Sequence, residues 1–134
     1  MDILIDSHIL LWALKGDTNI PEKAKDYILN PANRIFFSSA TIWELSIKHS
    51  LHSDNIPFSG KDLLSKSLYA GYIELPVCGK YTESLETLKR NPNSPEHKDP
   101  FDRMLIAQAK YENMRFLTHD SKLPAYNEPC ILYV

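Results

Sequence analysis

The residues of this chain whose type and spacing best suit chemistry are four carboxylates: Asp6, Glu44, Asp102 and Asp120. Two of them end short apolar runs that are typical of buried strands, and the other two fall inside helical patterns rich in apolar residues. Acidic side chains are rarely buried without a partner, so this pattern calls for a compensating positive charge. A divalent cation with oxygen ligands would supply that charge and would activate water for the hydrolysis of a phosphodiester bond.

Strand and helix patterns alternate along almost the whole chain. Strands are predicted over 2–6, 35–38, 72–76, 116–118 and 130–134, and helices over 8–15, 21–29, 40–49, 61–70, 80–90 and 101–113. Ser39 is the predicted N-cap of the third helix, and the three prolines of 91–100 predict a long connection or flap. The alternation predicts an α/β fold, with a mainly parallel central sheet flanked by helices, as a single domain over residues 1–134.

Composition restricts the function classes only loosely. With 134 residues, 43% hydrophobic residues and a net charge of −2, the chain has the profile of a globular domain without a global basic field. A local basic patch beside an acidic site remains compatible with that net charge. Cys78 and Cys130 show no metal-ligand spacing, and no signal-peptide or membrane-span pattern is present. We therefore expect a cytoplasmic protein that acts away from membranes.

A parallel sheet offers one place where the acids could meet. Ligands of such sheets gather outside the carboxyl ends of the strands, near the point where the strand order reverses. Asp6 and Asp120 lie at predicted strand ends, and Asp102 lies in the first turn of a helix that starts at the same edge. Glu44 joins them only if its helix leans over that edge.

Each acid also has an ordinary explanation. Asp6 could cap the first helix, and Glu44 could pair with Lys48 one helical turn later. Asp99 and Asp102 could serve as the N-cap and a dipole-stabilising acid of one helix, whereas Asp120 could start a turn. The joint pattern favours a shared metal site, because four such coincidences at core-facing positions are harder to account for one by one.

At these residues the sequence resembles the PIN-domain nucleases, and specifically the VapC-like toxin ribonucleases. The resemblance is carried by Leu4-Ile5-Asp6-Ser7-His8, Ser39-Ala40-Thr41-Ile42-Trp43-Glu44, Asp99-Pro100-Phe101-Asp102-Arg103 with the helix that follows, and Leu117-Thr118-His119-Asp120. It implies a three-layer PIN-like fold and an endoribonuclease that hydrolyses RNA with a metal-activated water. It further implies a homodimer and a cognate protein antitoxin of a type II toxin–antitoxin system.

The resemblance also assigns roles to particular residues. Asp6, Glu44, Asp102 and Asp120 are implied as the catalytic, metal-binding quartet for Mg²⁺ or Mn²⁺. Supporting roles around these ligands, such as holding a metal-bound water, fall to Asp99, Thr118 and Ser7. Asp102 is favoured over Asp99 as the direct ligand, because Asp99 has the position of a helix cap.

Basic residues near the acids are candidates for RNA contact, namely Lys48, His97, Lys98 and Arg103. Solvated loop charges are an equally good interpretation of the same residues. Trp12 and Trp43 are predicted to be core or dimer-interface residues rather than stacking platforms. His8 and His119 are predicted to be structural or to support the metal ligands from behind. The alternative to a ribonuclease is a catalytically silent PIN-like module that binds RNA or protein.

Overall fold

A computed structural model describes residues 1–134 and contains one five-stranded sheet. The strands are β1 Asp2–Ile5, β2 Arg34–Ser38, β3 Ile73–Leu75, β4 Arg115–Thr118 and β5 Ile131–Tyr133. Their order in the sheet is β3-β2-β1-β4-β5, and every neighbouring pair is parallel. The predicted α/β fold with a mainly parallel central sheet is confirmed.

Helices cover both faces of this sheet. They are α1 Ser7–Lys15, α2 Glu22–Leu29, α3 Ser39–Leu51, α4 Gly60–Tyr69, α5 Thr82–Glu86 and α6 Pro100–Glu112. Side chains alternate along each strand, so Leu4 joins the core beneath α6, whereas Ile3 and Ile5 join the core beneath α1 and α2. The result is a three-layer arrangement. None of the helices is both long enough and apolar enough to cross a membrane.

Most predicted boundaries agree with the structure to within about two residues, but the helix over 80–90 and the N-cap of the third helix are wrong. The helix expected over 80–90 is a 3₁₀ turn at Gly79–Tyr81 followed by the short α5. Residues beyond α5 make hydrogen bonds to distant parts of the chain instead of continuing the helix. Arg90 donates to the carbonyls of Pro95 and Lys122 and is thereby drawn out of the helical path. The N-cap of α3 is Ser38, whose hydroxyl accepts from the Ala40 amide, whereas the Ser39 hydroxyl accepts from the Val77 amide.

The strand order reverses at β1, and this determines where a ligand could lie. The chain passes from β1 to β2 on one side of the sheet and later returns to β4 on the other side of β1. The carboxyl ends of β1 and β4 and the start of α1 therefore share one edge, which is the position expected for a ligand site in a parallel α/β sheet. A second 3₁₀ turn, Leu123–Tyr126, follows β4 at this edge.

Candidate metal centre

The carboxylate of Asp6 joins the ends of β1 and β4. Asp6 is buried and caps α1, with Oδ1 accepting from the Ser7 amide at 2.6 Å. Its other oxygen, Oδ2, accepts from the Thr118 hydroxyl at 2.6 Å, and that hydroxyl in turn accepts from the Asp120 amide at 3.0 Å. Asp6 is thus both a helix cap and a member of the edge cluster, and Thr118 positions Asp6 and the backbone at Asp120.

Glu44 reaches the same edge from α3. Its side chain is buried, and Oε1 accepts from the Ser7 hydroxyl at 2.7 Å. Oε2 accepts from the Lys48 ammonium at 2.8 Å, so the expected helical ion pair exists within the cluster rather than on an exposed helix face. The helix does lean over the edge, and Ser7 connects Glu44 to the residue that follows Asp6.

Asp102 and Asp99 divide the start of α6 between two tasks. Asp99 is the N-cap, and its Oδ1 accepts from the amides of Phe101 and Asp102. The Asp102 side chain is 14% exposed, with Oδ2 3.2 Å from Nε2 of His97. His97, Asp102 and Asp120 each offer one possible ligand atom, and these three atoms lie within 4.8 Å of one another. Burial and the nearby charge of Arg90 lower the pKa of His97, which favours a neutral imidazole.

The pKa values of the acids in the site show that several negative charges lie close together. Burial raises the pKa of Asp102 to about 8, and the carboxylates that add to this increase are those of Asp6, Asp99, Glu44 and Asp120. Burial also raises the pKa of Asp6, against the hydrogen bond from Thr118. Carboxylates raise one another's pKa only when they share a site, so the acids form one electrostatic cluster.

The donor set fits a divalent cation. Hard cations such as Mg²⁺ and Mn²⁺ take carboxylate oxygens, and the cluster offers several of them at partly or fully buried positions. Lys48 is the ammonium that lies against the cluster, and one positive charge does not balance this set of acids. Its pKa is raised despite the opposing effect of burial, through the hydrogen bond and the charge of Glu44 and the charges of Asp99 and Asp102.

The four residues expected to contact RNA have different surroundings. The Lys48 ammonium forms an ion pair with Glu44 at 2.8 Å, and the exposed Lys98 ammonium lies 3.3 Å from Glu96. His97 has a side chain only 7% exposed, within the cluster, and Arg103 donates to the hydroxyl of Tyr126 and to a backbone carbonyl. His97 and Arg103 therefore also make contacts inside the site, and RNA contact stays a prediction for all four residues.

Comparison with known proteins decides the family. A model of the PIN domain matches residues 3–129, a span that includes all four acids. The chain belongs to the PIN-domain family. Members of this family are typically metal-dependent nucleases, which agrees with the oxygen-rich cluster at the sheet edge of this PIN domain.

Other comparisons support the fold. The PIN domain is similar to a chain in the crystal structure of VapBC2 from Rickettsia felis bound to a DNA fragment from their promoter. The two share 17% sequence identity with a TM-score of 0.65, and the alignment covers 100% of this chain and 98% of the other. A search of curated proteins finds no match to this chain.

Proposed function

We propose that this PIN domain is a toxin endoribonuclease of the VapC type, which hydrolyses RNA phosphodiester bonds and is neutralised by a cognate antitoxin. The observation that carries the proposal is the convergence of acids from separate elements at the sheet edge: Asp6, Glu44, Asp102 and Asp120. Such convergence has no purpose in stability, because it places like charges side by side. Binding of a divalent metal ion would explain why the acids converge.

We assign the cation, Mg²⁺ or Mn²⁺, to these four acids. When bound there it would polarise the phosphodiester and lower the pKa of the attacking water. The remaining work falls to groups that hold the acids in place. The Ser7 hydroxyl fixes Glu44, the Thr118 hydroxyl fixes Asp6, and Asp99 fixes the helix start that carries Asp102. Hydrogen bonds of this kind keep ligand geometry ready before substrate arrives.

Cleavage of single-stranded RNA tests the proposal directly. The purified chain should cut RNA in the presence of Mg²⁺ or Mn²⁺, and a chelator should stop the reaction. RNA binding without cleavage under both metals would instead favour a catalytically silent PIN-like binding module. Unpaired RNA is the appropriate probe because proteins read RNA sequence mainly in single-stranded segments.

The antitoxin part of the proposal draws on the structural neighbour. That neighbour comes from a VapBC complex bound to promoter DNA, and its fold is shared over the full length of this chain. We expect a short gene next to the coding sequence of this PIN domain, whose product copurifies with it and inhibits its RNA cleavage. The absence of an inhibitory neighbour would leave a nuclease that is not a toxin of this type.

Dimer formation has its own support on α3. Trp43, Ile47 and Leu51 recur at helical spacing along one side of this helix, and Trp43 is 63% and Leu51 70% exposed. Trp43 also packs edge-on against Phe101 at 5.2 Å between ring centroids, beside the start of α6. An exposed apolar stripe of this length is typical of a surface that another chain covers. We propose that a second copy of this chain covers the stripe, which would form the homodimer that the family resemblance implies.

Charged substitutions in the α3 stripe should break that dimer. The variants Ile47→Asp and Leu51→Asp are expected to elute as monomers, because each places a desolvated charge in a self-complementary interface. The measurement is mass by light scattering on a sizing column. Leu29→Asp, an exposed leucine on α2, is the matched control and should leave the parent mass unchanged. A parent protein that is monomeric at micromolar concentration would overturn the dimer.

Lys48 should affect metal binding and RNA binding in opposite directions. Lys48→Met removes a cation 2.8 Å from Glu44, so the affinity for Mg²⁺ should rise a few-fold, since one charge beside the acids is worth about 1 kcal/mol or more. The affinity for RNA should fall. Titration calorimetry with Mg²⁺ and filter binding of RNA measure the two effects. Lys23→Met, on exposed α2, should change neither, and weaker Mg²⁺ binding by Lys48→Met would contradict the argument.

A further inference from the structure

We propose that His97 supplies a nitrogen ligand to the metal ion at the acid cluster, together with Asp102 and Asp120, and that this site prefers Mn²⁺ over Mg²⁺. The proposal deepens the proposed function and rests on it only for the presence of a metal at the cluster. His97 belongs to the proline-rich connection between α5 and α6, outside the acidic quartet.

The contacts of Tyr126 favour a proton on Nδ1 of His97 over one on Nε2. The Tyr126 oxygen lies 2.7 Å from Nδ1 of His97, and it accepts from the Arg103 guanidinium at 3.3 Å. The Tyr126 hydroxyl can donate to the backbone carbonyl of His97, which lies 3.5 Å away. All three contacts are used at once only when Nδ1–H donates to the tyrosine oxygen. Nε2 of His97 is then unprotonated.

That assignment leaves two electron-pair donors facing each other. Nε2 of His97 lies 3.2 Å from Oδ2 of Asp102, and no other contact of Nε2 is found. A lone pair and a carboxylate oxygen at this distance need a proton or a cation between or beside them, and a bound cation would take both atoms as ligands. Ligand atoms about 2.1 Å from an ion and at right angles to each other are about 3 Å apart, so the observed separation suits two ligands of one ion.

His97 is also held as metal-binding histidines generally are. Such residues donate their second ring N–H to an oxygen that fixes the orientation of the ring, and here that oxygen is the Tyr126 hydroxyl. The tyrosine ring also packs at a right angle to the imidazole, at 5.6 Å between centroids. The connection itself is anchored by Arg90 and by the Asn91 amide, which donates to the Ala125 carbonyl. The imidazole is therefore presented to the cluster in a fixed orientation.

A nitrogen ligand changes which ion the site selects. Imidazole binds transition metals in preference to Mg²⁺, which takes oxygen ligands and keeps its waters. A site made of carboxylates alone would discriminate little between Mn²⁺ and Mg²⁺. Adding His97 should favour Mn²⁺ by about ten-fold or more.

The experiment measures metal binding rather than cleavage. Chelator-treated full-length protein is titrated with MnCl₂ and with MgCl₂ by calorimetry, and the Mn²⁺ complex is examined by pulsed electron paramagnetic resonance. The parent should show a directly coordinated nitrogen, and labelling with heavy-isotope histidine should alter that coupling. His97→Asn keeps an N–H near the position of Nδ1 but removes Nε2. It should weaken Mn²⁺ binding about ten-fold or more and Mg²⁺ binding less than about three-fold.

Controls separate coordination from orientation. His119→Asn removes a histidine next to Asp120 in sequence and should leave both affinities and the nitrogen coupling unchanged. Equal weakening of Mn²⁺ and Mg²⁺ binding by His97→Asn, without nitrogen coupling in the parent, would mean that His97 only orients Asp102. Failure of the parent to bind Mn²⁺ would also overturn the proposal. Absence of RNA cleavage in a protein that shows the coupling would reject the nuclease and leave the ligand assignment intact.

Discussion

Replacing Asp6 by asparagine is expected to reduce metal-dependent RNA cleavage by about 10²-fold or more while the protein stays folded. Asp6 is the acid at the junction of β1 and β4, and its buried carboxyl group offers oxygen ligands to a cation. Metal ions contribute several kcal/mol of charge stabilisation in the transition state, and each 1.4 kcal/mol is about ten-fold in rate. Losing one buried ligand charge forfeits a large share of that stabilisation.

The fold should survive because asparagine can take over the structural part of the role. Asn is as good an N-cap as Asp, so its side-chain oxygen can still accept from the Ser7 amide. Circular dichroism and thermal melting measure the fold, and gel-based cleavage of labelled RNA measures the rate. Asp17→Asn is the matched control, since Asp17 accepts from the Asn19 amide away from the cluster. Cleavage by Asp6→Asn at the parent rate would remove the metal centre from the proposed mechanism.

The fold was predictable because its determinants are local in sequence. Apolar runs of strand length alternate with helical patterns, and a parallel sheet follows from that order. The position of Asp6 after β1 was predictable for the same reason. The length of the helix expected over 80–90 was not, because Arg90 leaves the helix for carbonyls at residues 95 and 122, and a local pattern carries no sign of such distant partners.

The site was predictable only where a strand end or a helix start determines the position of a side chain. Glu44 needed the family resemblance, because its approach depends on the tilt of α3, which sequence periodicity does not specify. His97 was expected to contact RNA, which stays a prediction, and its position beside Asp102 was not predicted. It lies on an irregular proline-rich connection, where spacing does not predict direction. Tyr126 was missed altogether, because a tyrosine in a short 3₁₀ turn has no distinguishing sequence signal.

Asp102 is expected to make the metal-free protein less stable as the pH rises through neutrality. Burial and neighbouring carboxylates raise its pKa from 3.8 to about 8 in the folded protein. For an acid with a raised pKa, the folded state retains a proton that the unfolded state has lost, so stability falls with increasing pH between these two values. Above pH 8 the carboxylate is ionised in both states and its full penalty applies.

Asp102→Asn should remove this penalty. At pH 8 in chelator, the free energy of unfolding is expected to rise on the order of 1–3 kcal/mol above that of the parent, with little difference at pH 4. Urea denaturation across this pH range measures the effect. Asp26→Asn, on the exposed side of α2, should leave the pH profile of the parent unchanged.

Metal ions should reverse the ranking of the two proteins. Mn²⁺ or Mg²⁺ binds the folded state and neutralises the repelling acids, so it should stabilise the parent more at pH 8 than at pH 5, in proportion to the logarithm of its concentration above the dissociation constant. Asp102→Asn should gain little stability from the same ions, because the substitution removes one of their ligands. If the substitution destabilised the metal-free protein at pH 8, Asp102 would be a structural acid. The carboxylate would then be held by favourable contacts rather than kept in place for a cation, and the case for a metal centre at this edge would fail.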